Sequence, residues 1–192
     1  YALNGGRLNT DAIDNSGGVD MSDHEVNLKI LLNPLVASGA LALDDRNTLL
    51  ESMTEEVAQD VLHNNDCHAR QVSLDKLRSE ADPMAFSIAI QWVCTRSNAT
   101  RAFLRLPSDE ELAKRQTLGK GLTRPELAVV AAHIKMHVFK DLLAADPALI
   151  EDFDQRVLGY FPAKIQAQYA HEVSNHMLKP SSGMTVLLNE IM

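Results

Sequence analysis

Along most of the chain the apolar residues return every three or four positions, the spacing of one face of an α-helix rather than the alternation of a half-buried strand. Val26, Ile30 and Leu31 begin this pattern, and Pro34 with Gly39 interrupts it. Asn33-Pro34 predicts a helix end, because the residue before proline is pushed out of the α region. Asp44 predicts the cap of a second helix with Leu50, Met53, Val57 and Val61 on one face. The polar run His63-Asn64-Asn65-Asp66 breaks that face, and a weaker helix carries Val72, Leu74 and Leu77. Asp82-Pro83 is a strong start, with aspartate at the cap and proline where a missing amide costs nothing. Phe86, Ile90, Val93 and Cys94 follow on one face.

Further along, Ser108-Asp109-Glu110-Glu111 has the form of a capping box, and Gly119 to Gly121 ends its short helix. Thr123-Arg124-Pro125-Glu126 introduces the longest element, with Leu127, Val130, Ile134 and Val138 along one side. Asp146-Pro147 repeats the aspartate-proline start, Phe161-Pro162 bends the chain, and Pro180 to Gly183 is expected to separate a final helix containing Val186, Leu187 and Ile191. About nine helical segments with short loops read as a mainly α, multi-helix array. Residues 1–10 differ: Gly5-Gly6 between two short extended-looking runs predicts a strand and a turn.

The stretch Asn15-Ser16-Gly17-Gly18-Val19-Asp20-Met21-Ser22 combines features that suit a ligand. Two adjacent glycines allow positive φ and close approach to the main chain. Ser22-Asp23-His24-Glu25 has the capping-box form, so a helix is expected to start at Ser22 with its free amides pointing into the glycine turn. Such a place accommodates a carboxylate or phosphate.

Composition narrows the picture. Among 192 residues, 45% are hydrophobic and only 5% aromatic, so aliphatic side chains must fill the interior, which favours helices over a β-sandwich. A net charge of −8 argues against nucleic acid or an anionic membrane as partner. No run approaches the roughly 18 apolar residues of a membrane span. Cys67 and Cys94 show no metal-like spacing and are too few for a disulfide framework. A cytoplasmic protein with reduced thiols is the expectation. His133 and His137 share a helix face, and His63, Cys67 and His68 cluster in sequence, but neither set has a metal motif; a half-exposed pair on an amphipathic helix explains the first better. No metal site is expected. Met177, Met184 and Met192 read as core fillers.

The run from Gly5 to Asn27 resembles the NAD-specific glutamate dehydrogenases of the large bacterial type. Leu106-Pro107-Ser108-Asp109-Glu110-Glu111-Leu112, Gly121-Leu122-Thr123-Arg124-Pro125-Glu126-Leu127-Ala128 and Tyr160-Phe161-Pro162 resemble the same family in the same order. The resemblance places these segments toward the C-terminal end of a much longer polypeptide. Tyr1 in place of a start methionine and Met192 within an apolar pattern fit an excised piece. It implies that residues 1–40 are the C-terminal edge of a truncated Rossmann-type catalytic domain (strand, glycine turn, helix) and residues 41–192 a helical C-terminal domain. With its sheet absent, the segment 1–12 is expected to be disordered or to pair with another copy.

Residues 15–22 resemble the Asn-Ala-Gly-Gly-Val-x-x-Ser motif of the wider superfamily. By that resemblance Ser22 binds the side-chain carboxylate of glutamate, Val19 lines its methylenes, and Asn15 lies near the nicotinamide end of NAD. The chain departs from the pattern at Ser16, Asp20 and Met21. Asp20 would repel a substrate carboxylate if it faced the pocket, and is expected to face solvent. The implied reaction is oxidative deamination of L-glutamate to 2-oxoglutarate and ammonia, in a homo-oligomer. No catalytic residue and no dinucleotide-binding core is identified here: Gly119-Lys120-Gly121 lacks the required preceding strand. The fragment is therefore expected to be inactive alone. The alternative is a non-catalytic helical interaction or assembly module, in which the glycines and Ser22 are only a turn and a cap.

Overall fold

The computed structural model describes residues 1–191, and every regular element among them is helical. In chain order these are α1 (Asp11–Asp14), α2 (Ser16–Ala37), α3 (Leu43–Glu51), α4 (Thr54–Ala81), α5 (Pro83–Ser97) and α6 (Asp109–Thr117). They continue with α7 (Arg124–Ala144), α8 (Phe153–Gly159), α9 (Ala163–Gln168), α10 (Ala170–Ser174) and α11 (Lys179–Ile191). Single 3-10 turns lie at Ala2–Asn4 and Pro147–Leu149. No helix among the described residues is long and apolar enough to cross a membrane.

The chain divides into two compact units. One combines residues 1–16 with 65–138, the other 17–64 with Phe139 onward. The first is built on Ile13, Val72, Ile90, Val93, Leu112, Leu122 and Leu127. Its helix starts follow the caps written in the sequence. Asp82 accepts from the amides of Met84 and Ala85, each at 3.1 Å, with Pro83 at the first helical position. Ser108 accepts from the Glu111 amide at 3.2 Å, but the Glu111 carboxylate turns forward to Arg115 at 3.0 Å, so only half of that box forms. The complete reciprocal box is at Thr123: its amide donates to Glu126 Oε2 at 2.7 Å and its Oγ1 accepts from the Glu126 amide at 3.4 Å. Gly121 is glycine because a Cβ there would stand 2.3 Å from the carbonyl oxygen of Ser79. The Ser79 hydroxyl accepts from the Leu122 amide at 3.1 Å.

The N-terminal strand is not formed. Residues 2–4 make a 3-10 turn closed by Gly5 at φ 89, and an irregular stretch ending in extended Thr10 leads into α1. A strand needs a ladder for its backbone groups; here the Tyr1 carbonyl takes the amides of Asn4 and Gly6 at 3.0 and 3.1 Å. Residues 1–12 also make specific side-chain contacts within their own unit. Asn9 donates to Asp14 at 2.8 Å and accepts from Arg124 at 2.8 Å, which ties the segment to its own unit.

The second unit is built on Leu28, Leu31, Leu32, Met53, Val57, Val61, Phe153, Val157, Phe161, Ile165 and Met184. Four expectations are corrected here or at its borders. Helix α2 does not start at Ser22 but at Ser16, so Gly17 and Gly18 are helical and neither has positive φ. Pro34 does not end it; the proline sits in the last turn, and termination falls to Gly39 at φ 76. Asp44 is not the cap of α3 but lies in its first turn, after Ala42. Pro180 to Gly183 is not a separator: α11 runs through it from Lys179. Proline is tolerated in a first turn, and at Gly183 a Cβ would stand 2.5 Å from the Phe153 ring.

The polar run 63–66 does not break α4. The apolar period lapses because two inward positions carry amides that are used. In the second unit Asn64 Nδ2 donates to Asp20 Oδ2 at 2.9 Å. In the first, Asn65 Nδ2 donates to the Ile13 carbonyl at 3.0 Å and to Ser16 Oγ at 2.9 Å.

Candidate functional site

Helix α2 has two distinct sides. His24, Leu28, Leu31 and Leu32 are buried in the second unit. Val19, Ser22 and Val26 recur at spacings of three and four, hence on one face, and all are exposed, Val19 to 56% and Val26 to 50%. An apolar pair flanking a hydroxyl on an otherwise solvated face is the candidate site. The Ser22 hydroxyl donates to the Gly18 carbonyl one turn back at 3.2 Å. It is therefore a mid-helix serine and no capping box forms: the amides near it already serve the helix, and only its side chain is available to a ligand. Ser22 Oγ can rotate to donate outward, since a hydroxyl carries one proton and two acceptor sites.

Asp20 corrects the expectation that it faces solvent. It is half-buried on the inner side of the helix, bonded to Asn64 and 3.7 Å from His24 Nε2. Its carboxylate is thus directed away from the face that carries Val19 and Ser22. Asn15 belongs to the first unit. It closes α1, its amide donating to the Asp11 carbonyl at 2.9 Å, and it is exposed. The structure thus joins Val19 and Ser22 on one face and describes Asn15 separately from them.

The inner side of α2 rests on a group that the sequence reading did not single out as a site. The His24 ring stacks on Tyr160 with centroids 4.5 Å apart and planes 9° from parallel. One turn along, Asn27 Nδ2 donates to the Tyr160 hydroxyl at 2.9 Å. His176 Nε2 donates to the Asn27 carbonyl at 3.1 Å, while its Nδ1 accepts from the Leu178 amide at 3.1 Å, which assigns the neutral Nε2–H tautomer. The Tyr160 phenol is pushed up to about 12, chiefly by burial; the charges of Asp20 and Asp23 add to this and the Asn27 bond opposes it. The signal for this network was present in the polar side chains of Asn27, Asn64 and Tyr160, but it does not appear in a count of apolar positions.

His133 and His137 converge on one hydroxyl: Ser97 Oγ lies 2.9 Å from His133 Nδ1 and 2.9 Å from His137 Nε2. Burial and the neighbouring His137 lower the His133 pKa. Both are half-buried, and among the described residues no group of three or more His, Cys, Asp or Glu is placed to hold a metal.

Comparison with known proteins bears on both ends of the chain. The family described as "Bacterial NAD-glutamate dehydrogenase, catalytic domain" matches residues 1–75, and "Glutamate dehydrogenase, C-terminal" matches residues 119–192. The NAD-specific glutamate dehydrogenase of Mycobacterium tuberculosis is 38% identical over 191 residues, covering 100% of this chain and 12% of that protein. Its namesake in Pseudomonas aeruginosa is 38% identical over 195 residues, with 100% and 12% covered. That of Halomonas elongata is 37% identical over 194 residues, with 99% and 12% covered. The chain thus spans 12% of the length of these relatives.

Proposed function

The chain belongs to the bacterial NAD-specific glutamate dehydrogenase family, and we propose that it serves as one wall of the glutamate pocket in a longer enzyme of that activity. The single observation that supports this most is the outer face of α2, where Ser22 stands between exposed Val19 and Val26. Ser22 donates a hydrogen bond to the side-chain carboxylate of L-glutamate. Val19 packs on the substrate methylenes, and Asn15 contributes near the nicotinamide end of the dinucleotide. A hydrogen bond to a charged group contributes about 1.5–3 kcal/mol, enough to matter for selectivity over a neutral analogue. Asp20 does not oppose this, because its carboxylate is held on the inner side by Asn64.

The reaction takes glutamate, water and oxidised NAD to 2-oxoglutarate, ammonium, NADH and a proton. The dinucleotide supplies the hydride acceptor. The described residues include no strand to build its usual binding fold, and the exposed Asn15 is one contact rather than a site. The binding core and the proton-transferring groups are accordingly assigned to the rest of the polypeptide, and the isolated segment is inactive. Within the segment, residues 1–40 act as the edge of the catalytic domain and residues 41–192 as its helical support, in a cytoplasmic homo-oligomer.

Binding of 2-oxoglutarate to the full-length enzyme, followed by calorimetry, tests this reading. Ser22→Ala weakens 2-oxoglutarate about tenfold or more and leaves NADH binding unchanged. Equal 2-oxoglutarate affinity in the variant would remove Ser22 from the pocket.

A further inference from the structure

We propose that Asn64 and Tyr160 are positioning residues for glutamate, acting by fixing the rotation of α2 about its own axis so that Ser22 faces the substrate. The proposal rests on the reading of Ser22 as a substrate contact and adds residues that touch no substrate.

In the first turn of α2, Gly17 and Gly18 have no side chains with which to key the helix into its surroundings, and glycine is the most pliable residue in a helix. The turn that presents Val19 and Ser22 is therefore not set by its own packing. Beyond the glycines, Leu28, Leu31 and Leu32 seat the later turns of the helix in the core, and three inward polar groups nearer the glycines set its direction at Ser22. Asp20 is held by Asn64 at 2.9 Å; His24 lies flat on Tyr160 at 4.5 Å; Asn27 donates to the Tyr160 hydroxyl at 2.9 Å. His176 adds a fourth restraint by donating to the Asn27 carbonyl at 3.1 Å.

Successive side chains on a helix are about 100° apart, so Asp20 and Ser22 point to nearly opposite sides. Clamping one defines the direction of the other. Rotating the helix by about 20° sweeps a hydroxyl a few ångströms from the axis through more than about 1 Å, which is enough to carry a hydrogen bond out of range. Misplacement on that scale can cost up to about 100-fold in rate. The clamp also accounts for the aspartate beside a carboxylate-binding serine. Asp20 is a handle on the inner side, and its role is to accept a hydrogen bond rather than to present charge to the pocket.

The test is steady-state kinetics and melting of the full-length enzyme with Asn64→Ala, Tyr160→Phe, Asp20→Ala, Asp20→Asn and Ser22→Ala. Tyr160→Phe keeps the ring that stacks on His24 and removes only the hydroxyl, so it is the variant most certain to fold. The expected result is that Asn64→Ala and Asp20→Ala raise the glutamate KM about fivefold or more, and Tyr160→Phe by a smaller factor, with the NAD KM unchanged. Asp20→Asn recovers most of what Asp20→Ala loses, because its carbonyl still accepts from Asn64. If Ser22→Ala raises the glutamate KM while Asn64→Ala and Tyr160→Phe leave it alone, positioning is refuted and the reading of Ser22 stands. If Ser22→Ala also leaves it alone, both fall. Equal damage from Asp20→Asn and Asp20→Ala would mean that the charge itself acts, which contradicts the proposal.

Discussion

Arg124 donates through Nε to Asn9 Oδ1 at 2.8 Å, a contact that spans 115 positions of sequence. The same guanidinium reaches Ser73 Oγ at 2.8 Å and the Ala69 carbonyl at 3.4 Å. Two segments that resemble one family, around Asn9 and around Arg124, are thus parts of one polar joint in the first unit. Lysine cannot reproduce three donors aimed in one plane. Arg124→Lys is expected to cost about 1–2 kcal/mol in urea unfolding and to accelerate amide exchange at Ile13 and Asp14. Unchanged exchange there would mean that the N-terminal segment is held by something else.

Glu126 combines two tasks. It completes the capping box at Thr123 and makes a two-pronged ion pair with Arg115 at 2.7 and 3.0 Å, the two side chains only 11% and 12% exposed. Removing Glu126 leaves the buried Arg115 guanidinium with only the half-exposed Glu111 as its partner. Glu126→Ala is expected to lower stability by about 2–3 kcal/mol through the lost cap and charge-assisted bonds, whereas Glu111→Ala, which removes only the half-exposed partner of Arg115, costs about 1 kcal/mol or less. Equal losses from the two variants in chemical denaturation would contradict this ranking.

Tyr160 gives a pH dependence with a definite sign. Burial raises its folded-state pKa to about 12, above the unfolded value, so the phenol binds its proton more tightly when folded. The stabilisation is complete below the unfolded pKa of about 10 and is lost as pH rises from there through about 12. Wild type is therefore expected to lose stability more steeply across that interval than Tyr160→Phe, by an amount on the order of 2 kcal/mol. Parallel pH profiles for the two proteins would show that the phenol is not buried as described.

The helical class was legible because it depends on apolar spacing, which survives without knowledge of tertiary contacts. Asp82, Ser108 and Thr123 were legible as helix starts because a cap is a local hydrogen bond. What was misread depended on distant partners. Gly17-Gly18 looks like a turn until Asp20 is seen anchored to Asn64. The run at 63–66 looks like a break until Asn64 and Asn65 are seen to face inward. Gly183 looks like a loop residue until the Phe153 ring is seen to occupy the space of its Cβ. For the candidate site, the residues were legible as a motif and their shared face was not. The capping-box reading put Ser22 at a helix end; the structure puts it mid-helix beside two exposed valines.

The position of Ser22 within the helix separates a substrate contact from a cap. Full-length enzyme carrying Ser22→Ala should be compared with wild type for glutamate kcat/KM and for melting. A mid-helix serine that contacts substrate predicts a fall in kcat/KM of about tenfold or more. Stability should be unchanged or slightly raised, since alanine is the better helix former by up to about 0.5 kcal/mol. The opposite pattern, intact kcat/KM with a loss of about 1 kcal/mol in stability, would mark Ser22 as a cap and nothing more, and would rule out its contact with glutamate.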